Sequence, residues 1–150
     1  MMYSIRIAEP SDETKIRELF LEMMQSIFPK ENVKGYPDDY LNRFWGESED
    51  RIYVADVGEV IAFLSVEVHH EPVSYIYLDD FSVTESYRNK GIGTKLISMA
   101  ESYAREKGIS SVFLHVEKTN RSAIRLYTRS GYSLYKDEGH RILLKKELIS

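Results

Sequence analysis

With 150 residues, 43% of them hydrophobic and 29% charged, the chain suits a single folded domain spanning residues 1–150, with one sizeable core and no room for a second. Twenty Lys and Arg against 24 Asp and Glu leave a net charge of −4, which argues against a nucleic-acid partner and is compatible with a cationic one. The absence of cysteine excludes disulfides, thiolate metal sites and a cysteine nucleophile. No window approaches the roughly 18 apolar residues of a membrane span, and no basic segment leads into an apolar run, so a cytoplasmic protein with no membrane partner is expected.

Residues 3–8 alternate as a strand does, and Glu9-Pro10-Ser11-Asp12 supplies a breaker and a helix cap. Ile16, Leu19, Phe20, Met23, Met24 and Ile27 then recur at helical spacing, with Lys15, Arg17, Glu18 and Glu22 left for solvent. The two methionines read as core filling at a helix end that could border a pocket. After a loop at 28–35, Pro37-Asp38-Asp39-Tyr40 restarts a short helix carrying Leu41, Phe44 and Trp45. Its aromatics stand beside Asp38, Asp39, Glu47, Glu49 and Asp50, either as a solvated helix with an apolar underside or as an acidic, aromatic wall for a substrate amine.

Residues 52–57 and 60–68 form a hairpin about Gly58-Glu59, with Val60, Ala62, Leu64, Val66 and Val68 on one face. His69 and His70 point to opposite faces and cannot grip one metal, so no metal site is expected. A strand at 74–83, a helix at 91–107 repeating Ile92, Leu96, Met99, Ala100, Tyr103 and Ala104, and a strand at 110–116 make a parallel crossover unit. Thr119-Asn120 caps a further helix holding Ala123, Ile124 and Tyr127, which Gly131 stops. Residues 132–135 and 141–144 close the chain as a hairpin.

The stretch Arg88-Asn89-Lys90-Gly91-Ile92-Gly93 is a glycine-rich turn between a strand and a helix, which offers free N–H groups and the positive end of a helix dipole to phosphate. It is not the dinucleotide fingerprint, because Leu96 stands at the third glycine position. Nor is it a Walker loop, which requires Gly-Lys-Ser/Thr.

The Arg-x-x-Gly-x-Gly form from Arg88 to Gly93, together with Asn120, Ala123, Tyr127 and Gly131-Tyr132, resembles the GNAT superfamily of N-acetyltransferases. The resemblance covers almost the whole chain in element order. It implies an α/β fold of mixed α+β character, a central twisted mixed sheet of about six to seven strands flanked by about four helices. It further implies acetyl-CoA as donor. The N–H groups of Asn89, Lys90, Gly91, Ile92, Gly93 and Thr94 would face the pyrophosphate, with Arg88 and Lys90 adding charge and Gly91 and Gly93 leaving the approach open. Phe81, Ser82 and Val83 would pair their backbone with pantetheine, one N–H polarising the thioester carbonyl, and Asn120 would contact the cofactor. Tyr127 matches the family's proposed general acid for the departing thiolate; its other reading is a tyrosine of the core.

An acceptor amine near pKa 10.4 must lose a proton, and Asp79 and Asp80 are the candidate catalytic acceptors, directly or through water. Their other role would be to attract a cationic substrate or cap local backbone. Strand alternation sends them to opposite faces unless a bulge intervenes, which leaves one for the cleft. The run from Tyr77 to Val83 resembles that of polyamine and related small-amine acetyltransferases and places Asp79 at their proposed base, shorter by a methylene than their glutamate. Burial or a neighbouring like charge would raise its pKa. The expectation is acetyl transfer to a small cationic amine by direct attack in a ternary complex, with C-terminal strands available for a homodimer. A protein N-terminus or lysine as acceptor, and a non-catalytic acyl-CoA sensor, are the alternatives.

Overall fold

The computed structural model describes residues 2–149, which are organised on one seven-stranded sheet. In chain order the elements are β1 (Ser4–Ile7), α1 (Glu13–Ile27), β2 (Arg51–Asp56), β3 (Val60–His69), β4 (Tyr75–Val83), α2 (Ile92–Glu106), β5 (Ser111–Glu117), α3 (Arg121–Arg129), β6 (Ser133–Asp137) and β7 (Arg141–Glu147). The sheet order is β1-β2-β3-β4-β5-β7-β6, antiparallel throughout except for β4 and β5. That one parallel pair is the crossover unit expected around α2.

Among the described residues there are three α-helices, one fewer than the family resemblance implied. The second expected helix is a single 3-10 stretch, Tyr40–Phe44, because Trp45 is already extended and Gly46 turns left-handed at φ 82°. It still does a helix's packing work: Leu41 and Phe44 are buried with Ile16, Leu19, Ile52, Val54 and Phe63 beneath α1. A larger core on the other face joins Leu64, Val66, Ile76 and Leu78 of the sheet to Leu96, Ile97, Ala100 and Ala104 of α2. β3 is therefore buried on both faces along Val60 to Val66, not on one as its alternation suggested, since helices cover it from both sides.

Two features of β4 create the site. Its pairing with β5 ends at Leu78 and Leu114, although both strands continue, so the two part and a cleft opens between them. Opposite β3 the register runs Leu64 to Phe81 but Val66 to Leu78, so Ser65 faces both Asp79 and Asp80 across a β-bulge.

Candidate active site

The cleft is a cavity of about 290 Å³ whose walls are the end of β4, the turn into α2, and α3. Phe81, Ser82, Val83, Arg88, Asn89, Gly91, Ile92, Gly93, Thr94, Asn120 and Tyr127 all line it, with Met23 and Ile27 at the end of α1 completing one side. Lys90 is the exception among the expected cofactor residues: it is exposed and lies outside the lining. Asn89 at φ 62° and Gly91 at φ 82° are both left-handed, and this alternation with Lys90 between them aims successive residues to different sides.

Gly91 caps α2 without any side-chain acceptor, and the first in-helix bond is from Lys95 N–H to its carbonyl at 3.2 Å. The N–H groups of Ile92, Gly93 and Thr94 precede that bond and have no helical partner, which is the arrangement an anion needs. Space above Gly91 is open, as expected. Gly93 is small for a different reason: a Cβ there would lie 2.8 Å from Phe81 Cζ and 3.3 Å from Leu126 Cδ2, so its missing side chain makes room for the Phe81 ring. Arg88, besides lining the cavity, donates from Nε to Val83 O at 2.8 Å and reaches Glu22 of α1 with its guanidinium at 3.5 Å, which fastens the end of β4.

On the far wall, Asn120 accepts from Ala123 N–H at 3.3 Å and so caps α3, while also lining the cavity. Tyr127, about two turns further on, is 8% exposed, with its ring 6.2 Å from those of Phe81 and Tyr132. Its hydroxyl makes no hydrogen bond among the described residues. Burial, and then the nearby Tyr77, push the phenol above its usual value, so it keeps its proton at any physiological pH. The tyrosine is thus a member of the core and a wall of the cleft together.

The bulge decides the disposition of the carboxylates. Before it, Ile76 and Leu78 face the α2 core; after it, Phe81 and Val83 do, and the phase of the strand has flipped. Asp79 and Asp80 consequently project to the same side, contrary to simple alternation. The Asp80 N–H, displaced from the ladder, donates to Ser65 Oγ at 2.8 Å. Tyr36 Oη donates to Asp80 Oδ2 at 2.5 Å, and Tyr40 Oη makes a longer contact of 3.4 Å with Asp79 Oδ2. The two tyrosines stack at 4.6 Å, and Phe20 stacks on Tyr36 at 3.9 Å.

An aromatic wall therefore exists, and two of the acids expected in it are taken up in ion pairs. Glu49 pairs with His70 and Lys107, and Asp50 pairs with Arg43 at 3.0 Å. The carboxylates at the wall are Asp79, Asp80 and Glu67, with Arg43 joined to Glu67 at 3.1 Å. Burial, then the charge of Asp80, then that of Glu67, raise Asp79 to about 7. Burial raises Asp80 as well, against the opposing hydrogen bond from Tyr36.

A further group of polar side chains on this face escaped the sequence reading. Tyr77 Oη donates to His115 Nδ1 at 2.6 Å, and His115 Nε2 contacts Glu138 Oε1 at 3.0 Å. Glu138 holds the imidazole proton on Nε2, which leaves Nδ1 free to accept from Tyr77. Nothing in the one-dimensional pattern marks this chain, which depends on the β4–β5 register and on the turn between β6 and β7.

A mixed sheet whose central parallel pair splays beside an uncapped helix N-terminus, with a protonated tyrosine on one wall, defines an acyl-group transferase. The chain belongs to the acetyltransferase (GNAT) family, whose profile matches residues 15–132. The family uses acetyl-CoA as its acyl donor. An uncharacterised N-acetyltransferase of Bacillus subtilis strain 168, YhfO, is 32% identical over 133 residues, covering 86% of this chain and 89% of that one. The D-amino-acid N-acetyltransferase HPA3 of Saccharomyces cerevisiae is 28% identical over 151 residues, 91% of each chain. The fold is that of the PaiA N-acetyltransferase of Thermoplasma acidophilum, solved in complex with coenzyme A: the TM-score is 0.83 at 18% identity, over 98% of this chain and 99% of that one. No helix among the described residues is long and apolar enough to cross a membrane.

Proposed function

We propose that the chain transfers an acetyl group from acetyl-CoA to a small, cationic primary amine, by direct attack in a ternary complex. The observation that carries this reading is the convergence of Asp79 and Asp80 on one wall beneath the Tyr36–Tyr40 stack. Two carboxylates and Glu67 against the single Arg43 leave that wall acidic, which favours an ammonium and disfavours an anionic acceptor. Whole-length likeness to an enzyme named for D-amino acids supports a small acceptor.

The cleft suits the donor. The N–H groups from Gly91 to Thr94 and the dipole of α2 would hold the pyrophosphate, and Asn89 and Asn120 flank that position. Beyond Leu78 the β5-facing edge of β4 has no partner strand, so Phe81, Ser82 and Val83 are free to pair with an amide-bearing pantetheine arm. When bound, acetyl-CoA supplies an acetyl group activated as a thioester.

Asp79 takes the proton from the acceptor ammonium. With a pKa of about 7 it is ionised in a useful fraction at neutral pH and is a far stronger base than an ordinary aspartate. Asp80, engaged by Tyr36, stays in place as the fixed charge that attracts the amine and holds Asp79 high. Tyr127 keeps its proton and offers it from Oη to the departing sulfur. Acid and base steps of this kind contribute about 10²–10⁴-fold each. The Tyr77–His115–Glu138 chain supports a second reading, in which His115 Nδ1 receives the amine proton through Tyr77.

An amine panel with thiol release as readout tests the proposal, run beside Tyr127→Phe and Asp79→Asn. Polyamines, diamines, amino acids, aminoglycosides and peptides form the panel. Turnover of small amines, lost in both variants, is the expected result. Turnover of peptides alone would make this a protein acetyltransferase. A rise in melting temperature with CoA and no turnover of any amine would make it a sensor.

A further inference from the structure

Glu101, on α2, is the one glutamate of the described residues that is nearly inaccessible, at 6% exposure, and the acetyl-transfer reading gives it no task. Its carboxylate accepts from Tyr132 Oη at 2.8 Å and from Lys146 Nζ at 3.1 and 3.2 Å. Lys146, on β7, gives a further hydrogen bond to Ser130 O at 2.8 Å. Three elements thus meet on the Ser130-Gly131-Tyr132 turn that ends α3. Gly131 takes φ 98° there, and a Cβ on it would lie 3.2 Å from Lys146 Cε, so the turn is closed tightly against the lysine stem.

α3 is short and shallowly held. Of its nine residues only Tyr127 is fully buried, and Ala123, Ile124 and Leu126 pack half-buried against the core beside it. Its first turn is held by Asn120. Its last turn is held by this polar cluster: Lys146 binds the carbonyl at the C-cap, Tyr132 N–H donates to Tyr127 O at 3.0 Å, and the Tyr132 ring packs edge-on to Tyr127 at 6.2 Å. Both the backbone and the ring of Tyr127 are therefore braced by Tyr132, which is itself tied to Glu101.

We infer that Glu101, Tyr132 and Lys146 are positioning residues, a clamp that sets the depth and orientation of Tyr127 in the cleft. A buried carboxylate with every partner in place makes such a brace stiff, because any displacement strips a hydrogen bond from a group that water cannot reach. The inference rests on Tyr127 being the proton donor of the reaction.

The test is a double-mutant cycle on the full chain. Tyr132→Phe removes one hydroxyl and leaves the ring. It is expected to lower kcat about tenfold with the KM of donor and amine little changed, since an ångström-scale misplacement acts on the chemical step. In a Tyr127→Phe background the same change is expected to lower kcat by less than about twofold, as there is no hydroxyl left to misplace. In ligand-free protein carrying ¹³C-labelled tyrosine, the Tyr127 ring signal, assigned by its loss in Tyr127→Phe, should shift in Tyr132→Phe and in Lys146→Met. Equal loss of kcat in both backgrounds, or an unmoved Tyr127 signal, would overturn the clamp. If Tyr127→Phe costs activity and Tyr132→Phe does not, the clamp fails and the acid survives. If Tyr127→Phe is silent, both fall. Glu101→Gln, which keeps the shape and an acceptor for Tyr132, serves the same cycle should Tyr132→Phe fold poorly.

Discussion

Tyr36 Oη donates to Asp80 Oδ2 at 2.5 Å, and with that one bond the loop after α1 closes over the bulge of β4. The contact has an energetic consequence, since the carboxylate is largely buried and this hydroxyl is its chief side-chain partner. Tyr36→Phe keeps the ring in its stack between Phe20 and Tyr40 but leaves Asp80 short of a donor. The expected cost is about 1–3 kcal/mol, or a fall in melting temperature of roughly 2–4 °C per kcal/mol for a chain of this size. An unchanged melting temperature would mean that water replaces the tyrosine without loss.

Asp79 should make the protein less stable as pH rises. Its folded value of about 7 lies above the unfolded value near 3.9, so between those pH values the folded state binds the proton more readily than the unfolded state does. The stabilisation this provides is present in full below about pH 4 and is lost as pH rises through 7. Asp79→Asn is neutral throughout, so its melting temperature relative to the parent should climb between about pH 4 and 7.5 and then level off. Thermal scans at several pH values decide it: a flat or falling difference would show that Asp79 is not held in an unfavourable charged state.

Gly93→Ala should affect the donor side of the site more than the fold. The added methyl meets the tip of the Phe81 ring at 2.8 Å, so that ring, which lines the cleft beside Tyr127, must shift. We expect a loss of about 1–3 kcal/mol and, with it, a raised KM for acetyl-CoA. Initial-rate kinetics at varied donor would show this, and an unaltered donor KM would indicate that Phe81 has room elsewhere.

Much of the architecture was legible because it is locally encoded. The order of strands and helices follows from periodicity, and the glycine turn with Asn120 and Tyr127 announced the cleft. The bulge was legible in principle: the inward apolar positions run Ile76, Leu78, then Phe81, Val83, a step of three where a regular strand takes two, with the two aspartates in the gap. What alternation hid, the broken alternation revealed. Other contacts had no local signature. Tyr36 reaches Asp80 across 44 residues, and His115 meets Tyr77 and Glu138 only through sheet register. Arg88 and Gly93 fit the motif yet serve packing and strand anchoring in ways their spacing cannot express.

The central claim, that Asp79 takes the acceptor's proton, is tested most directly by the pH dependence of kcat/KM for the best amine, in the parent chain and in Asp79→Asn. The ionised carboxylate is the active form, so the parent rate should rise with pH along a limb centred near 7. In Asp79→Asn the rate should fall by about 10²-fold or more and that limb should vanish, leaving only the titration of the amine itself. A variant that keeps both the limb and the rate would contradict the claim and pass the role to His115.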